Sequence, residues 1–206
     1  MKILKNTILT IVTLLLFSVL FSFLFYVFFC GSVVVKGSSM EPTLKSGELG
    51  IFIKKGNVFS NVGRDDIVIF EGEMPLTNGK DILIKRVIGK PGDHVEIKPT
   101  GAILVNDQEI AQNYLDEEQK LATYQLLNIK NMNVTLGSDE YYVLGDNRLV
   151  SYDSRYFGPI KDKDIRGKFF ISYGHYNNFD ESSGKGSSKS YFPIRFFERM
   201  INIWNF

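Results

Sequence analysis

The stretch Gly37-Ser38-Ser39-Met40-Glu41-Pro42-Thr43-Leu44 separates two parts of the chain that differ in character. An apolar segment precedes it, and a region with the alternating pattern of β-strands follows it. Pro42 fixes its own φ angle and restricts Glu41 to extended geometry, so the stretch is predicted to form a stiff loop. A serine on a stiff loop holds its hydroxyl in one place. Because Ser and Gly are also the usual residues of turns, a plain turn is the alternative when this stretch is considered alone.

The segment before this loop predicts a membrane-spanning helix. No charged residue occurs between Lys5 and Lys36, and residues 7–30 are almost continuously apolar. At about 1.5 Å per residue, such a helix crosses the roughly 30 Å hydrocarbon core with some tilt. A cleavable leader is the alternative, but the apolar run is too long and lacks small residues at alternate positions at its end. The pattern therefore favours an uncleaved anchor over residues 7–30, behind a short tail of residues 1–6.

The charges that flank the anchor leave its orientation open. Lys2 and Lys5 precede the apolar run, and several lysines follow it from Lys36 onward. Counting positive charges therefore does not decide which end faces the cytoplasm. A long domain after the anchor crosses the membrane largely regardless of its charge, so a soluble domain outside the cytoplasm is allowed.

Composition argues against several classes of function. The formal net charge is +1, which argues against bulk binding of nucleic acid. Cys30 is the single cysteine, so a disulfide framework and a Cys-rich metal site are excluded. The two histidines, His94 and His175, show no paired spacing. Gly184-Lys185 lacks the spacing of a phosphate-binding loop. We therefore expect neither a metal nor a cofactor.

From Gly47 onward, the sequence predicts a mostly β fold. Short runs of apolar and alternating residues are separated by turn signals such as residues 89–93 and 99–101. Asn106-Asp107 sits between two such runs and predicts a hairpin. No alternation of strands with helices occurs, which favours antiparallel sheets. The predicted strands cover residues 50–53, 67–70, 82–88, 94–97, 103–105, 108–110, 140–144 and 168–173.

Three segments depart from the strand pattern. Residues 113–133 are predicted to form either a short helix or a mobile insertion, with apolar residues spaced by three. Residues 177–190 are polar and predict a flexible linker or loop. The aromatic tail, residues 191–206, is too short and too charged to span a membrane. Its apolar face either rests at the membrane interface or packs on the β domain.

A lysine within an apolar strand is the first indication of chemistry. Strand alternation places Lys85 on the same face as Leu83 and Val87. Burial there disfavours the charged amine and lowers its pKa, and a neutral amine can accept a proton from a serine hydroxyl. Arg86 cannot play that part because a guanidinium does not lose its proton in proteins. An amine that extends to solvent, or pairs with a carboxylate, is the alternative for an isolated lysine.

A polar loop follows the predicted strand 140–144 and has the sequence Gly145-Asp146-Asn147-Arg148-Leu149-Val150-Ser151-Tyr152-Asp153-Ser154-Arg155. Loops at strand ends commonly carry function. Asp146 and Asp153 are predicted to hold arginines in ion pairs, and Ser151 to hydrogen-bond the lysine amine. A solvated polar turn is the alternative for this loop considered alone.

The three stretches, in this order, resemble type I signal peptidases, the membrane-bound Ser/Lys endopeptidases. Their pattern is Ser-Met-x-Pro-Thr-Leu, then Lys-Arg-Val-x-Gly-x-Pro-Gly-Asp, then Gly-Asp-Asn-Arg-x-x-Ser-x-Asp-Ser-Arg, and this chain meets every specified position between residues 39 and 155. A weaker element, Gly-Asp-Ile-Val-x-Phe, is met by residues 65–70 except that Asp65 replaces the glycine. A single N-terminal span and a small size look most like the Gram-positive form.

The resemblance implies a role for each motif. Ser39 is implied to be the nucleophile, with its backbone N–H in the oxyanion hole, and Lys85 the general base. Ser151 is implied to orient the lysine. The supporting ion pairs are implied to involve Asp146, Asp153, Arg86 and Arg155. The residues implied to bind substrate are Met40, Pro42 and Ile84.

One position departs from the pattern of some relatives. These relatives carry a serine two residues before the nucleophile, where it donates a second hydrogen bond to the oxyanion. Here that position is Gly37. The second donor is therefore left open between a backbone group, a water molecule and Ser38.

The resemblance also implies a fold, a substrate and partners. The domain would be barrel-like, antiparallel and extracytoplasmic over residues 31–206, with a small β insertion at about residues 99–137. Its substrates would be membrane-inserted preproteins, cut after small residues at alternate positions. The expected partners are these preproteins, the lipid membrane and, functionally, the secretion translocon, with no nucleic acid.

Two other functions compete with this interpretation. A signal-peptidase-like accessory factor in surface pilus assembly, with little or no proteolytic role, would be expected to lack the nucleophile or the base, and both are present. A cytosolic repressor that cleaves itself with a Ser/Lys pair would carry a DNA-binding module and no long apolar span.

Overall fold

The computed structural model describes residues 2–57, 60–73, 80–125, 130–180 and 185–187. The described helices are α1 (Lys2–Phe29), α2 (Glu117–Gln125) and the short α3 (Ser154–Phe157). In chain order the strands are β1 (Cys30–Val34), β2 (Glu48–Lys54), β3 (Ile67–Glu73), β4 (Lys80–Gly89), β5 (His94–Ile97), β6 (Ile103–Val105), β7 (Gln108–Glu109), β8 (Asn133–Thr135), β9 (Glu140–Leu144), β10 (Ile160–Lys161), β11 (Ile165–His175), β12 (Asn177–Asp180) and β13 (Lys185–Ser187).

The N-terminal helix has the length and composition of a membrane span. It covers 28 residues, its most apolar window has a mean hydropathy of 2.7, and that window is not buried against the rest of the protein. At about 1.5 Å per residue, α1 is longer than the hydrocarbon core of a bilayer. It begins at Lys2, before the predicted span of residues 7–30, and ends at Phe29.

The helix runs into the β domain without a linker, because β1 begins at Cys30 directly after Phe29. Lys54, at the end of β2, donates a hydrogen bond from its Nζ to the carbonyl oxygen of Val27 at 2.8 Å. That carbonyl belongs to the last turn of α1, where helical carbonyls lack partners within the helix. A second contact joins the hydroxyls of Tyr26 and Ser32. Helix and sheet are therefore held together at their junction.

The main sheet has seven antiparallel strands in the order β1-β2-β11-β3-β4-β9-β10. The register places Lys85 of β4 opposite Val68 of β3, and Arg86 opposite Leu144 at the end of β9. The loop that starts at Gly145 therefore leaves the sheet beside the strand that carries Lys85. This pairing brings the second and third motifs together.

A smaller sheet of four antiparallel strands, in the order β7-β6-β5-β8, is joined to the main sheet by a shared core. Val95 and Ile103 of the small sheet pack with Ile88 of β4 and Leu144 of β9. The predicted insertion of residues 99–137 begins after β5, whereas the pairing assigns β5 to this sheet. In β5, the partly exposed His94 and Glu96 alternate with the buried Val95 and Ile97, as in a half-buried sheet.

The structure confirms a mostly antiparallel β fold behind an N-terminal apolar helix, and a strand lies at each predicted position, although β7 ends one residue before the predicted range of 108–110. Of the two alternatives predicted for residues 113–133, the structure shows the short helix, which is α2. Its apolar positions Leu121 and Tyr124 are exposed, whereas Ala122 and Thr123 are buried. Leu127, the third member of the predicted apolar series, lies outside the described residues, as do residues 191–206.

One prediction about the chain after β11 was wrong in its described part. Residues 177–190 were expected to be a flexible linker or loop, but β12 and β13 pair there, with Asn177 opposite Ser187 and Asp180 opposite Lys185. Backbone hydrogen bonds form a hairpin with any side chains that tolerate extended geometry, so polar composition did not reveal these strands.

Candidate active site

The loop that carries Ser39 is held by hydrogen bonds and by core packing. The Leu44 amide donates to the Met40 carbonyl at 2.9 Å, and the Glu41 amide donates to the Ser38 carbonyl at 3.1 Å. Met40 is 1% exposed and Leu44 4% exposed. Their side chains belong to a core cluster with Val35, Ile69 and Ile84. The loop therefore has two apolar anchors below it, while Ser39 itself stays partly accessible.

Lys85 lies within hydrogen-bond distance of Ser39. Its Nζ donates to the Ser39 hydroxyl oxygen at 2.8 Å and to the Ile84 carbonyl oxygen at 3.1 Å. The lysine is only 4% exposed. Burial lowers the pKa of its amine to about 8, against the opposing effect of the Asp153 and Asp146 carboxylates. Once the amine has lost its proton, its lone pair faces the serine hydroxyl.

Asp146 connects all three motifs. Its carboxylate accepts hydrogen bonds from Arg86 at both oxygens, from Nε at 2.9 Å and from Nη2 at 2.6 Å. The Thr43 hydroxyl, on the loop that carries Ser39, donates to the same carboxylate at 2.5 Å. Arg86 also donates to the Asp65 carbonyl at 2.8 Å, and its guanidinium lies 4.1 Å from the centre of the Tyr114 ring. A buried ion pair with this many partners fixes the relative positions of the three segments.

The second predicted ion pair is also formed, between Asp153 and Arg155. Nε of Arg155 donates to one carboxylate oxygen at 2.8 Å and Nη2 to the other at 2.9 Å, with both side chains fully buried. The Gly145 amide donates to the same carboxylate at 3.0 Å. Asp153 also caps the N-terminus of α3 through the Arg155 amide. The pair therefore fixes both ends of the polar loop; its predicted supporting role in catalysis stays a prediction.

Ser151 lies beside Ser39 but does not make its predicted hydrogen bond to Lys85. It is 2% exposed, and its hydroxyl has no hydrogen-bond partner in the part of the chain that the structure describes. The Lys85 amine instead bonds Ser39 and the Ile84 carbonyl. A Cβ added at Gly145 would lie 2.2 Å from the Ser151 hydroxyl and 2.5 Å from the Ser39 carbonyl oxygen. Ser151 therefore fills the space next to Ser39, and only glycine fits between them.

The three residues expected to bind substrate differ in accessibility. Met40 and Ile84 are 1% and 9% exposed and pack against each other in the core, so their side chains are not available to a substrate. The reason is that the loop folds its apolar side chains inward to support Ser39. Pro42 is exposed and lines a surface cleft of about 390 Å³ together with Lys45 and His175.

The surroundings of the Ser39 backbone leave its amide unoccupied. Among the described residues, no group accepts a hydrogen bond from the Ser39 N–H, whereas its carbonyl accepts one from the Asn147 amide at 3.0 Å. Gly37 has a φ of +77°, a conformation that favours glycine. A Cβ at that position would have no other atom within 4 Å. No group of three or more potential metal ligands occurs within the described ranges.

A sequence model of the family described as "Signal peptidase, peptidase S26" matches residues 4–174 of this chain. That range includes nearly all of α1 and of the main sheet, and all three motifs. The chain belongs to the signal peptidase, peptidase S26 family.

Named relatives of this family agree with the assignment. Signal peptidase I of Bacillus caldolyticus is 36% identical over 158 residues, which are 74% of this chain and 84% of the relative. Signal peptidase IB of Staphylococcus aureus (strain COL) is 33% identical over 166 residues, 76% of this chain and 84% of the relative. A crystal structure of a signal peptidase I from Enterococcus faecalis V583 is 28% identical, with a TM-score of 0.42, and the match covers 52% of this chain and 96% of that one. The predicted family is confirmed, and with it the prediction of a peptidase.

Several residues of this signal peptidase family member were not assigned a role from the sequence. Arg148 lies within the third motif and is fully buried. Its side chain donates to the Gly145 carbonyl, to Gln112 and to Thr123. A charged residue inside a motif was a signal that could have identified Arg148. Nothing in the sequence distinguishes Gln112 and Thr123 from the exposed polar residues around them.

Proposed function

We propose that this protein is a membrane-anchored serine endopeptidase that removes signal peptides from exported preproteins, with Ser39 as the nucleophile and Lys85 as the general base. The observation that carries the proposal is the 2.8 Å distance between the Lys85 amine and the Ser39 hydroxyl. The lysine is buried, and the pKa of its amine is lowered to about 8. Family membership and the names of the relatives support the substrate class.

The lowered pKa supports a lysine base near neutral pH. An ordinary lysine, with a pKa of about 10.4, is neutral in only about one molecule in two thousand at pH 7. With a pKa of about 8, roughly one molecule in ten is neutral at the same pH. Burial therefore raises the population of the active base by more than two orders of magnitude, without a histidine.

The chemistry follows from this pair. The neutral Lys85 amine takes the proton of the Ser39 hydroxyl as the oxygen attacks the scissile carbonyl carbon. The Ser39 N–H is available to stabilise the oxyanion, and the second donor is unassigned. The lysine ammonium then gives its proton to the leaving amine, which yields the acyl-enzyme and the released mature chain. A water molecule, deprotonated by the same amine, releases the signal peptide as a carboxylate and restores Ser39.

We also propose that α1 spans the membrane once and that the β domain acts on the extracytoplasmic side, next to the lipid. Beside the end of α1, strand β11 exposes Phe170 at 67%, Ile171 at 51% and Tyr173 at 41%. Exposed apolar side chains next to a membrane span favour contact with the bilayer surface. Substrates that emerge from the secretion translocon would meet the site at this surface.

The alternative of an accessory factor in pilus assembly gains no support. That function would not need the Ser39 hydroxyl, the buried amine, or the ion pairs that hold them. Nothing in the comparisons favours it.

Preprotein cleavage by the purified full chain tests the proposal. Ser39→Ala should abolish cleavage, because it removes the attacking oxygen. Ser138→Ala is the matched control, since Ser138 is an exposed serine in the turn before β9 and lies outside the three motifs, and it should cleave at close to the wild-type rate. Equal cleavage by wild type and Ser39→Ala would overturn the assignment of the nucleophile. An inert wild type that still supports surface assembly would favour the accessory factor.

A further inference from the structure

The polar loop after β9 is held by side chains that lie outside all three motifs. Gln112, Gln119 and Thr123 come from the segment between β7 and β8 of the small sheet, and we refer to these three residues as the clamp. Gln112 is 6% exposed and Thr123 is fully buried. Both directly contact Arg148, so this segment does more than connect two strands of the small sheet.

The first part of the clamp binds the Arg148 side chain. Nη1 of Arg148 donates to Gln112 Oε1 at 2.6 Å and to the Thr123 hydroxyl oxygen at 2.7 Å. Nε of the same guanidinium donates to the Gly145 carbonyl at 3.0 Å. A fully buried guanidinium needs acceptors for its N–H groups. The clamp supplies them, and the guanidinium in turn fixes the first residue of the loop.

The second part of the clamp binds the backbone of the loop. Gln119 accepts a hydrogen bond from the Arg148 amide at 2.7 Å, and its own amide group donates to Asn147 Oδ1 at 3.4 Å. One side chain of α2 therefore contacts two consecutive residues of the loop. These bonds add to those that Arg155 makes to the carbonyls of Ala122 and Thr123.

The loop residues that the clamp holds are also the ones that contact Ser39. The Asn147 amide donates to the Ser39 carbonyl at 3.0 Å. Gly145 approaches that same carbonyl so closely that a Cβ would lie 2.5 Å from it. Asp146 lies between these two residues and holds Arg86, the neighbour of Lys85. A displacement of the loop would therefore move both partners of the Ser39–Lys85 pair.

We infer that Gln112, Gln119 and Thr123 are positioning residues, which set the separation of Ser39 and Lys85 by fixing the loop from Gly145 to Arg148. The inference rests on the proposed function, because it assumes that this separation governs cleavage. A displacement of about 1 Å at a reacting group can cost on the order of 100-fold in rate. Positioning would act on the chemical step and leave substrate binding largely unchanged.

Two substitutions test the clamp in the full chain. Gln119→Ala removes the bonds to the loop backbone and keeps α2 intact, since Ala is the strongest helix former. Thr123→Val removes one acceptor of Arg148 and keeps the shape of the side chain. Each should lower kcat for preprotein cleavage by about 10-fold or more and change KM by less than about twofold. Thr123→Ser restores the acceptor and should recover most of the wild-type kcat.

The matched control is Glu118→Ala, which changes the exposed neighbour of Gln119 on the same helix. It should leave kcat unchanged. A further readout is the profile of kcat against pH. A loosened loop admits water to Lys85, and because burial is the main cause that lowers the pKa of this amine, its pKa should rise. The rising limb of the profile should therefore move to higher pH in Gln119→Ala.

Hydrogen exchange of the loop amides gives a readout that does not depend on cleavage. Exchange at residues 145–151 should become faster in Gln119→Ala and stay unchanged in Glu118→Ala. If the loop exchanges faster, yet kcat and the pH profile match those of wild type, the clamp has only a structural role and the inference is wrong. It is equally wrong if neither loop exchange nor kcat changes in either clamp variant. If wild type itself does not cleave preproteins, the proposed function fails, and that result is distinct from a failure of the clamp.

Discussion

The pKa of Lys85 is set by two opposing effects. Burial disfavours the charged amine and so makes it a better base near neutral pH, whereas nearby carboxylates favour the charged amine. Here the amine is 4% exposed, and two carboxylates, of Asp146 and Asp153, favour its charged form. Each of these carboxylates is bound to an arginine, which limits its effect on the lysine. The pKa of about 8 reflects that balance.

Lys85→Arg should abolish most of the cleavage activity. A guanidinium keeps the positive charge but offers no lone pair, so the loss should be about 10²–10⁴-fold, the usual contribution of a general base. In wild type, the base is the deprotonated form, so kcat should rise with pH and level off above an apparent pKa near 8. Initial rates of preprotein cleavage between pH 6 and pH 10 measure both effects.

The control for this substitution is Lys90→Arg, at an exposed position just after β4. It should retain the wild-type rate and profile. A Lys85→Arg variant that cleaves at near the wild-type rate would show that another group is the base.

Asp146→Asn should destabilise the protein and impair cleavage. The asparagine leaves the buried Arg86 charge without its carboxylate, and breaking a buried pair typically costs about 3–5 kcal/mol. Asp139→Asn is the matched control, because its ion pair with Lys161 is exposed. Loss of a surface pair should change the free energy of unfolding by less than about 1 kcal/mol. Denaturant unfolding of both variants in the same detergent compares them; equal stability would mean that the Asp146 pair does not hold the motifs together.

The turn after β9 requires that Gly145 lie very close to Ser39 and Ser151. A Cβ at Gly145 would lie 2.2 Å from the Ser151 hydroxyl and 2.5 Å from the Ser39 carbonyl oxygen, and the second of these is backbone. Gly145→Ala should therefore push the loop away from Ser39 and lower kcat by about 100-fold. Gly63→Ala is the control, since a Cβ there would be 3.5 Å from its nearest neighbour, an ordinary contact. Comparable rates for the two variants would argue against tight packing at the turn.

The elements with a clear residue pattern were predicted from the sequence, and those that depend on tertiary context were not. The strand around Lys85 was predicted because apolar residues on both sides indicate a buried strand. β1 was missed because Cys30–Val34 continues the apolar run of the anchor, so composition does not mark where the helix ends. β12 and β13 were missed because polar side chains do not prevent backbone pairing.

In the candidate site, too, some features were predicted from the sequence and others depend on tertiary context. The motifs predicted the close approach of Ser39 and Lys85 and both ion pairs, because their residue types are unusual in their surroundings. The hydrogen bond expected between Ser151 and Lys85 is not present among the described residues, and the amine bonds the Ile84 carbonyl, a backbone group that no sequence pattern indicates. The roles of Gln112 and Gln119 became visible only through the fold, which brings a distant segment against the loop.

The side of the membrane on which the β domain lies follows from its proposed substrates. Preproteins are cut after they cross the membrane, so the domain after Lys36 should lie outside the cytoplasm. Protease added to intact spheroplasts should digest it, and a cytoplasmic marker protein should survive as the control. A domain that is protected until the membrane is broken would place the site on the cytoplasmic side and contradict the proposal.

The junction of α1 and β1 has a consequence for how the molecule responds to its membrane. Cys30 follows Phe29 directly and Lys54 binds the last turn of the helix, so no linker separates α1 from the β domain. A change in the tilt of α1 should therefore rotate the β domain with it. The helix is longer than the hydrocarbon core, so its tilt depends on bilayer thickness. In the proposed topology, the height of Ser39 above the lipid, and with it the bond that a substrate presents, would then be set partly by the membrane itself.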